Sequence, residues 1–465
     1  MADKITSADQ VDIYKISIGS ERFQDGKELF IAGSKNHTPI VAELNIYENI
    51  FMPYLTGTIV MIDDNNIVKD LGIKGTERLY VVFKSPKTDT QIEKTFVISS
   101  IRRQIKTNEQ RSLLILELIE QHGYFNELEL INKSYTGNSV EIAQKILEDN
   151  STMKIEDRSK YKIPEMLNGY MRYIVPWQTP YAAIQSVLNF SYTDNAMPYF
   201  FYSSLTSDNL ILRDLESIIE SEPFNEGLQP FTYSQSNSNS FNTNFINLIF
   251  TINELRAGEI NDTLDLAKGG GVTTSFETFD TRTGSVGNIK TIRMYDELKN
   301  LVNDGVIKNT DEQHLFIDDN FRDTYRYNNS GTKNKSINDY NSARISYLSN
   351  KPYDDAAGLL SSTLAVKKAI VKNNYLQHLA NNCIEISVPG YAFAVKSLNR
   401  SVGHQININI LSDGSLIDTN GFIDDKRSGS YIMLTKKHVF NVKALTHNVV
   451  IKAGRVTEPI QPRGA

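Results

Sequence analysis

The chain has 465 residues, too many for one compact core, and its length implies roughly three or four domains of about 100–200 residues each. With 49 Lys and Arg against 55 Asp and Glu, the formal net charge of −6 makes a poor grip for phosphate backbones, and 40% hydrophobic with 22% charged residues is the composition of a folded, soluble chain rather than a disordered one. The single cysteine, Cys383, excludes an internal disulfide and a cysteine-only zinc site, the longest apolar run (Leu113 to Ile119, broken by Glu117) is far short of the ~20 residues a bilayer span needs, and Met1 to Thr6 lacks the basic and apolar regions of a secretory signal.

Tyr (23) and Phe (21) dominate the aromatic residues over a single Trp, and together with Ile, Thr and Val they favour pleated, half-buried surfaces. The first 120 residues accordingly read as short strands. Val11 to Ile18 opens the series. Ile40, Ala42, Leu44 and Ile46 then alternate with Val41, Glu43, Asn45 and Tyr47, and Thr58, Val60 and Ile62 with Ile59 and Met61. Leu79 to Lys84, Phe96 to Arg103 and Leu113 to Glu120 follow. Turn markers separate them: Ser34-Lys35-Asn36, Met52-Pro53, Asp63 to Asn66, Gly72 to Gly75, Ser85-Pro86-Lys87 and Thr107-Asn108-Glu109. Regular short strands predict a sandwich or barrel. Leu113-Leu114-Ile115-Leu116 is apolar on both faces, although one face of an antiparallel sheet usually meets water. Two covers stay open, a neighbouring subunit or a helix across a well-filled core.

After His122 the period changes. Asn138 with Glu141 three residues on is a capping-box spacing, and Val140, Ala143, Ile146 and Leu147 form a helical stripe behind it. Asp149 to Pro164 reads as loop. Thr179-Pro180 starts a second helix, since proline lacks the amide proton left unpaired there, and Tyr181, Ile184, Val187 and Leu188 make its buried face. Trp177, between Pro176 and Pro180, is expected to pack on that helix. Tyr199 to Tyr202 and Leu210 to Arg213 read as a hairpin. The polar run Ser234 to Ser240 marks a junction, residues 258–352 an insertion of weak β character with long loops, and Tyr353 to Leu379 a helix with Leu360, Leu364, Val371, Tyr375 and Leu379 on one face. Strands return at Cys383 to Val388, Gln405 to Leu411, Tyr431 to Thr435 and Asn448 to Lys452, before an extended tail from Thr457 to Ala465. The resulting expectation is an α+β, mostly β chain. It comprises a tube-like antiparallel β-barrel at 1–121, an α+β domain at 122–222, a second barrel at 223–257 with 380–456, an insertion with a long helix at 258–379, and a tail at 457–465.

Motifs for chemistry are missing. Gly269-Gly270-Gly271 is followed by Val272-Thr273, so a Walker lysine is absent. The seven histidines (37, 122, 314, 378, 404, 438, 447) never pair at three or four residues; His438 and His447 could meet across a sheet, though two unconnected surface or core histidines is the plainer reading. Asp63-Asp64-Asn65-Asn66 lacks the ligand spacing and closing glutamate of a calcium loop. Paired carboxylates of a glycosidase leave no sequence trace. The sequence therefore assigns no catalytic, cofactor-binding or metal residue and no cofactor, and predicts a protein that is not an enzyme.

Three patterns carry a resemblance. They are Val175-Pro176-Trp177-Gln178-Thr179-Pro180 leading into a helix; Ile386-Ser387-Val388-Pro389-Gly390 with Ser401-Val402-Gly403 and the strand Gln405-Ile406-Asn407-Ile408; and Arg427-Ser428-Gly429-Ser430-Tyr431-Ile432-Met433-Leu434 to His438, then Thr446-His447-Asn448-Val449-Val450-Ile451. In this order they make the chain resemble the baseplate central hub protein of contractile-tailed bacteriophages, related to the hub half of type VI secretion spike proteins. The chain departs from that family at His404, where members often place an acidic residue after Val-Gly, and the insertion has no counterpart. The resemblance implies a homotrimer in which each subunit supplies two tube-like barrels. Such a ring would match a sixfold tail tube to a threefold spike and let DNA pass without specific binding. It also implies the tail tube protein, the central spike protein and a tape measure protein as partners, and residence in the virion tail baseplate after assembly in the host cytoplasm. A receptor-binding or polysaccharide-degrading tail protein is the alternative. A trimer would carry 3 × (−6) = −18; acid lining a channel would repel DNA, whereas acid outside would only aid solubility. In the second barrel, Ser428 to Tyr431 is expected to start a strand pairing with one ending near Ile451, with Ile432 and Leu434 facing the barrel interior.

Overall fold

The computed structural model describes residues 7–19, 28–32, 40–63, 73–106, 112–159, 171–233, 245–257, 262–279, 286, 288–307, 343–348, 362–411, 424 and 427–456. The turns expected at 34–36, 64–66 and 107–109, the polar run 234–240, Leu360, the tail 457–465 and much of the insertion lie outside them.

The N-terminal strands are β1 (Asp12–Gly19), β2 (Glu28–Ala32), β3 (Val41–Asn49), β4 (Thr56–Asp63), β5 (Arg78–Lys84), β6 (Ile92–Lys106) and β7 (Ser112–Glu120). Period-2 alternation sets their faces: Leu44, Ile46, Ile59, Met61, Leu114, Leu116 and Leu118 point into one core. A bulge between Val41 and Glu43 turns Val41 inward with them, against the simple alternation.

The chain then builds the α+β unit. Helix Gln121–Leu128 is followed by β8 (Ser134–Gly137), helix Ser139–Asn150, β9 (Ile155–Asp157), β10 (Met171–Ile174), helix Pro180–Asn189, β11 (Tyr199–Tyr202), β12 (Leu210–Asp214) and helix Leu215–Glu220. Both helix starts follow the sequence. Asn138 and Glu141 form a full capping box, Thr179 Oγ1 accepts from Ala182 N, and Tyr181, Ile184, Val187 and Leu188 are buried. The stretch expected as loop contains β9, which pairs parallel with β12. Trp177 does not pack on the helix. Its φ of +48° turns it outward, and it is 67% exposed.

Next come β13 (Phe231–Tyr233), helix Phe245–Ile249 and β14 (Glu254–Ala257). The insertion supplies helix Thr263–Lys268, β15 (Thr273–Phe279), β16 (Lys290–Arg293), helix Met294–Asn303, β17 (Ala343–Leu348) and helix Ser362–Asn381, and the C-terminal strands are β18 (Cys383–Pro389), β19 (Gln405–Ile410), β20 (Gly429–Asn441) and β21 (Thr446–Gly454). Gly429 opens β20 at φ +123°, and β20 pairs with β21 as the sequence implied. The face assignment is reversed, however. Tyr431 and Met433 enter the core with Phe231, Ile406 and Ile451, whereas Ile432 and Leu434 lie under the long helix with Val371, Tyr375 and Leu379.

One sheet joins the two strand-rich regions in the order β14-β18-β21-β20-β3-β4-β7-β6-β5-β1-β2, with β13 and β19 attached beside β20. Each region curls round its own core, but among the described residues no pairing closes either into a separate barrel; β20 and β3 join them edge to edge instead. The central eight strands repeat a pattern. β14-β18-β21-β20 and β3-β4-β7-β6 are each two strands in chain order followed by a hairpin entered from its second strand, and every neighbouring pair is antiparallel. A shift of four strands preserves direction, so the two sets match in order and in strand sense. The outer hairpin strands also divide alike. β20 pairs with β19 over Gly429 to Ile432, passes an irregularity between Met433 and Thr435, and then pairs with β3. β6 pairs with β5 over Ile92 to Val97 and passes an irregularity between Ile98 and Ser100; from there to Lys106 its described pairing is with β7 alone.

Candidate functional site

At the β3–β20 seam the inward phase of both strands becomes polar. Leu44 and Ile46 are followed by Glu48, and Lys436 and His438 precede Phe440; Glu48 sits directly opposite Lys436 in the ladder. All three polar side chains are fully buried. Lys436 Nζ lies 3.2 Å and His438 Nε2 2.9 Å from Glu48 Oε1, and Lys436 also donates to Arg400 O at 2.6 Å. His438 Nδ1 is 3.0 Å from Nε2 of His447, which stacks on Phe440 at 4.2 Å between ring centroids. The two histidines do meet, as buried core residues. Both links form when His447 donates to His438 and His438 to Glu48, both rings neutral, and His447 Nδ1 is then left without a hydrogen-bond partner among the described residues. Burial would raise the Glu48 carboxyl, but Lys436 and His438 prevail and hold it at about 2. Burial lowers His438 and lowers His447 well below the usual histidine range. Gly390 of the Pro389-Gly390 pattern is explained here, because a Cβ on it would lie 2.2 Å from His447 Nδ1.

The Val402-Gly403 pattern is a second tie. Gly403 has φ +75°, a Cβ there would meet the Tyr202 hydroxyl at 2.4 Å, and its carbonyl accepts from Arg213 Nη1 at 3.0 Å. His404 follows, buried and lowered to about 3 by burial and then by the Arg213 and Arg158 charges.

A third polar cluster joins β7 to the α+β unit. Glu120 accepts from Leu55 N, Ser203 Oγ and Lys94 Nζ, and lies 3.0 Å from His122 Nε2, while His122 Nδ1 lies 2.8 Å from Tyr181 OH. Burial raises the Glu120 carboxyl, and Lys94 and His122 overcome that to leave it far below the usual range.

None of these arrays offers a free catalytic group. Both ring nitrogens of His438 and of His122 face partners, and Glu48, Lys436 and His447 are sealed in the core. Sequence reading missed Glu48 and Lys436; their signal was a charged residue in an otherwise apolar strand phase. His378 bonds Gly271 O at 2.8 Å, and Gly269 accepts from Gln377, so the triple glycine packs a helix end beneath the long helix. His37 and His314 lie outside the described residues, and among those described no three His, Cys, Asp or Glu could hold a metal. Nor, among them, is any helix long and apolar enough to cross a membrane.

The broadest candidate surface is the outward face of the eight-strand sheet. Its described charged side chains are Glu43, Glu93, Glu117, Glu254 and Glu385 against Arg102, Arg256, Lys437 and Lys452. Five acids meet four bases. Arg256 bridges Glu254 (3.6 Å) and Glu385 (3.4 Å), and Arg102 pairs with Glu117 (3.3 Å).

No family model matches this chain, and no curated protein does. Solved structures do. A tail protein from Neisseria meningitidis MC58 superposes with a TM-score of 0.51 at 11% identity, covering 97% of this chain and 98% of that one. The prophage MuSo2 43 kDa tail protein from Shewanella oneidensis gives 0.50 at 8% identity, covering 95% and 98%. The E. coli c3393 protein, described as a type VI secretion component similar to the T4 tail proteins gp27 and gp5, gives 0.42 at 9% identity, covering 91% and 76%. The chain thus shares its fold, nearly end to end, with two tail proteins, as the resemblance in its sequence implied.

Proposed function

We propose that this chain is a structural tail protein, a trimeric baseplate hub that adapts a sixfold tail tube to a threefold spike and encloses a channel for DNA. The observation that carries this reading is the four-strand set repeated in order and sense, with complementary edges left over. β14 ends the sheet path, and β6 beyond Ile98 has β7 on one side only among the described pairings. Within the chain, the equivalent half of β20 takes β3 on that side. By the same rule the second half of β6 takes β14 of the next subunit, and three copies close a ring of six sets. Twenty-four strands at a spacing of about 4.8 Å give a circumference near ~115 Å and a backbone-to-backbone diameter of about 37 Å, room for a double helix after side chains are subtracted. Closure also removes exposed sheet edges, an aggregation hazard.

In this ring the outward sheet face lines the channel. Its described charges come close to balance, so the wall works by near-neutrality rather than by a repelling acidic coat. A lining with almost no net charge has little hold on a passing polyanion. The tail tube, central spike and tape measure proteins are the partners this role requires, and the site is the virion tail. The reading is tested by light scattering and electron microscopy of the purified chain. A mass of three chains and a threefold ring with an open centre are expected; a monomer at every concentration defeats it.

A further inference from the structure

Trp177 points to a surface that the hub reading does not use. Helix Gln121–Leu128 leaves Phe125 (51%) and Leu128 (68%) exposed, the following segment exposes Leu130 (58%), and β10 and the bend after it expose Ile174 (58%) and Trp177 (67%). Backbone bonds from Ile131 N to Gln178 O and from Val175 N to Lys133 O, both 2.9 Å, hold the segment that follows the helix beside the one that carries Ile174 and Trp177. Trp177 adopts a left-handed backbone conformation that L side chains rarely take. With the Asn132 amide turned to donate to Val175 O, its oxygen accepts from Trp177 Nε1 at 3.2 Å. The indole is therefore held outward, with a backbone and a hydrogen bond that fix it there.

Phe125 stands at the lip of a cleft between β6–β7 and the α+β unit, and the cleft is acidic. Asp149 and Asp208 there are paired with Lys133 and Lys396, but Glu93, Glu129 and Glu148 make no ion pair among the described residues. Large apolar side chains beside unneutralised carboxylates call for a partner that supplies both complements. The same carboxylates repel anionic lipid headgroups, which argues against a membrane.

We propose that this strip and cleft form a docking surface for a protein segment that places Lys or Arg side chains in the cleft and lays large aliphatic side chains along Phe125, Leu128, Leu130, Ile174 and Trp177. This surface stands on the exposed strip and the cleft charges, independently of the trimer.

Trp177 is the only tryptophan, so the full chain reports on its own strip. The probe is a tryptophan-free synthetic peptide alternating pairs of Leu and Lys, with a matched peptide bearing Glu in place of Lys. The Lys peptide is expected to blue-shift Trp177 emission saturably, and the Glu peptide to leave it unmoved. Replacing Glu129→Lys and Glu148→Lys together, both on the surface, is expected to weaken the response about tenfold or more. Any of four results overturns the proposal: no shift with the Lys peptide, equal shifts with both peptides, a shift produced by phosphatidylglycerol vesicles instead, or emission that moves with protein concentration alone, which would mean that a second copy covers the strip.

Discussion

Glu48, Lys436, His438 and His447 place ionisable groups where the strand phase calls for aliphatic ones, and two consequences can be measured. Removing one partner leaves the other charge buried and uncompensated. Lys436→Met is expected to cost about 3–5 kcal/mol, and pairing it with Glu48→Gln to recover much of that loss. Equal costs for the single and double variants, in denaturant titrations, would show that the two residues are not coupled. The second consequence is a pH slope. Folding lowers His378 to about 4 and His404 to about 3 from an ordinary value near 6.5. A histidine lowered on folding is held neutral in the folded state, so the unfolded state binds more protons and stability falls as pH drops below 6.5. Each such histidine removes about 1.4 kcal/mol per pH unit between 6.5 and its folded value. His438 and His447 shift in the same direction. Glu48, lowered from 4.5 to about 2, contributes stability above pH 4.5 that is lost only between 4.5 and 2. Unfolding free energy is therefore expected to fall steeply from pH 6.5 to 4.5, before carboxylate protonation begins, and His404→Gln is expected to reduce that slope by about one proton's worth. A flat profile across that window would contradict the neutral burial of these histidines.

Among the elements, those with a clean period were legible and those decided by distant partners were not. The capping box at Asn138 and the Thr179-Pro180 start are written within four residues, and both formed. The strand from Gly429 was equally plain. Its interior face was not, because Tyr431, Ile432, Met433 and Leu434 are all buried. The choice of face was settled by the helix Ser362–Asn381, which covers Ile432 and Leu434 from outside the strand's own sequence. Trp177 misled for the opposite reason. Two flanking prolines and an aromatic ring suggest packing, while the positive φ that turns the ring outward has no glycine or asparagine to announce it. The correction is open to test. Trp177→Ala is expected to shift unfolding by no more than about 0.5 kcal/mol, and Ile184→Ala, in the buried face of the neighbouring helix, by about 2–5 kcal/mol. Comparable losses from the two, read from the same denaturation curves, would return Trp177 to the core. The polar clusters were legible only in part. Glu48 and Lys436 stand out by phase, but nothing local pairs two residues 388 positions apart in sequence (436 − 48).

At the scale of the whole molecule, the repeated strand set turns a question of assembly into one about single amide protons. Arg455 N donates to Asn382 O, so by alternation Glu385 and Ser387 of β18 turn their backbone groups away from β21 and toward β14, where Ser387 O also accepts from Asn253 N at 2.7 Å. Ser387 and Glu385 stand opposite Glu254 and Arg256, so the amides of those two face β18, and those of Leu255 and Ala257 face the edge that ends the sheet path. Proline at 257 would delete an outward donor and spare the β18 ladder, and edge strands tolerate proline at such positions. Ala257→Pro is therefore expected to leave a folded chain with near-native circular dichroism that no longer trimerises, its mass in light scattering falling from three chains to one. If it still forms trimers, subunits do not join through β14, and the ring of six strand sets loses its closure. An unfolded variant would mean that the amide at 257 serves the chain's own sheet, contrary to the register of β14 on β18. The sequence held this much in its spacing, since strand-rich regions at either end pointed to two related units. That they share one sheet, with a matching irregularity where β6 and β20 each change partners, depends on pairings between residues hundreds of positions apart, and local periodicity carries no record of those.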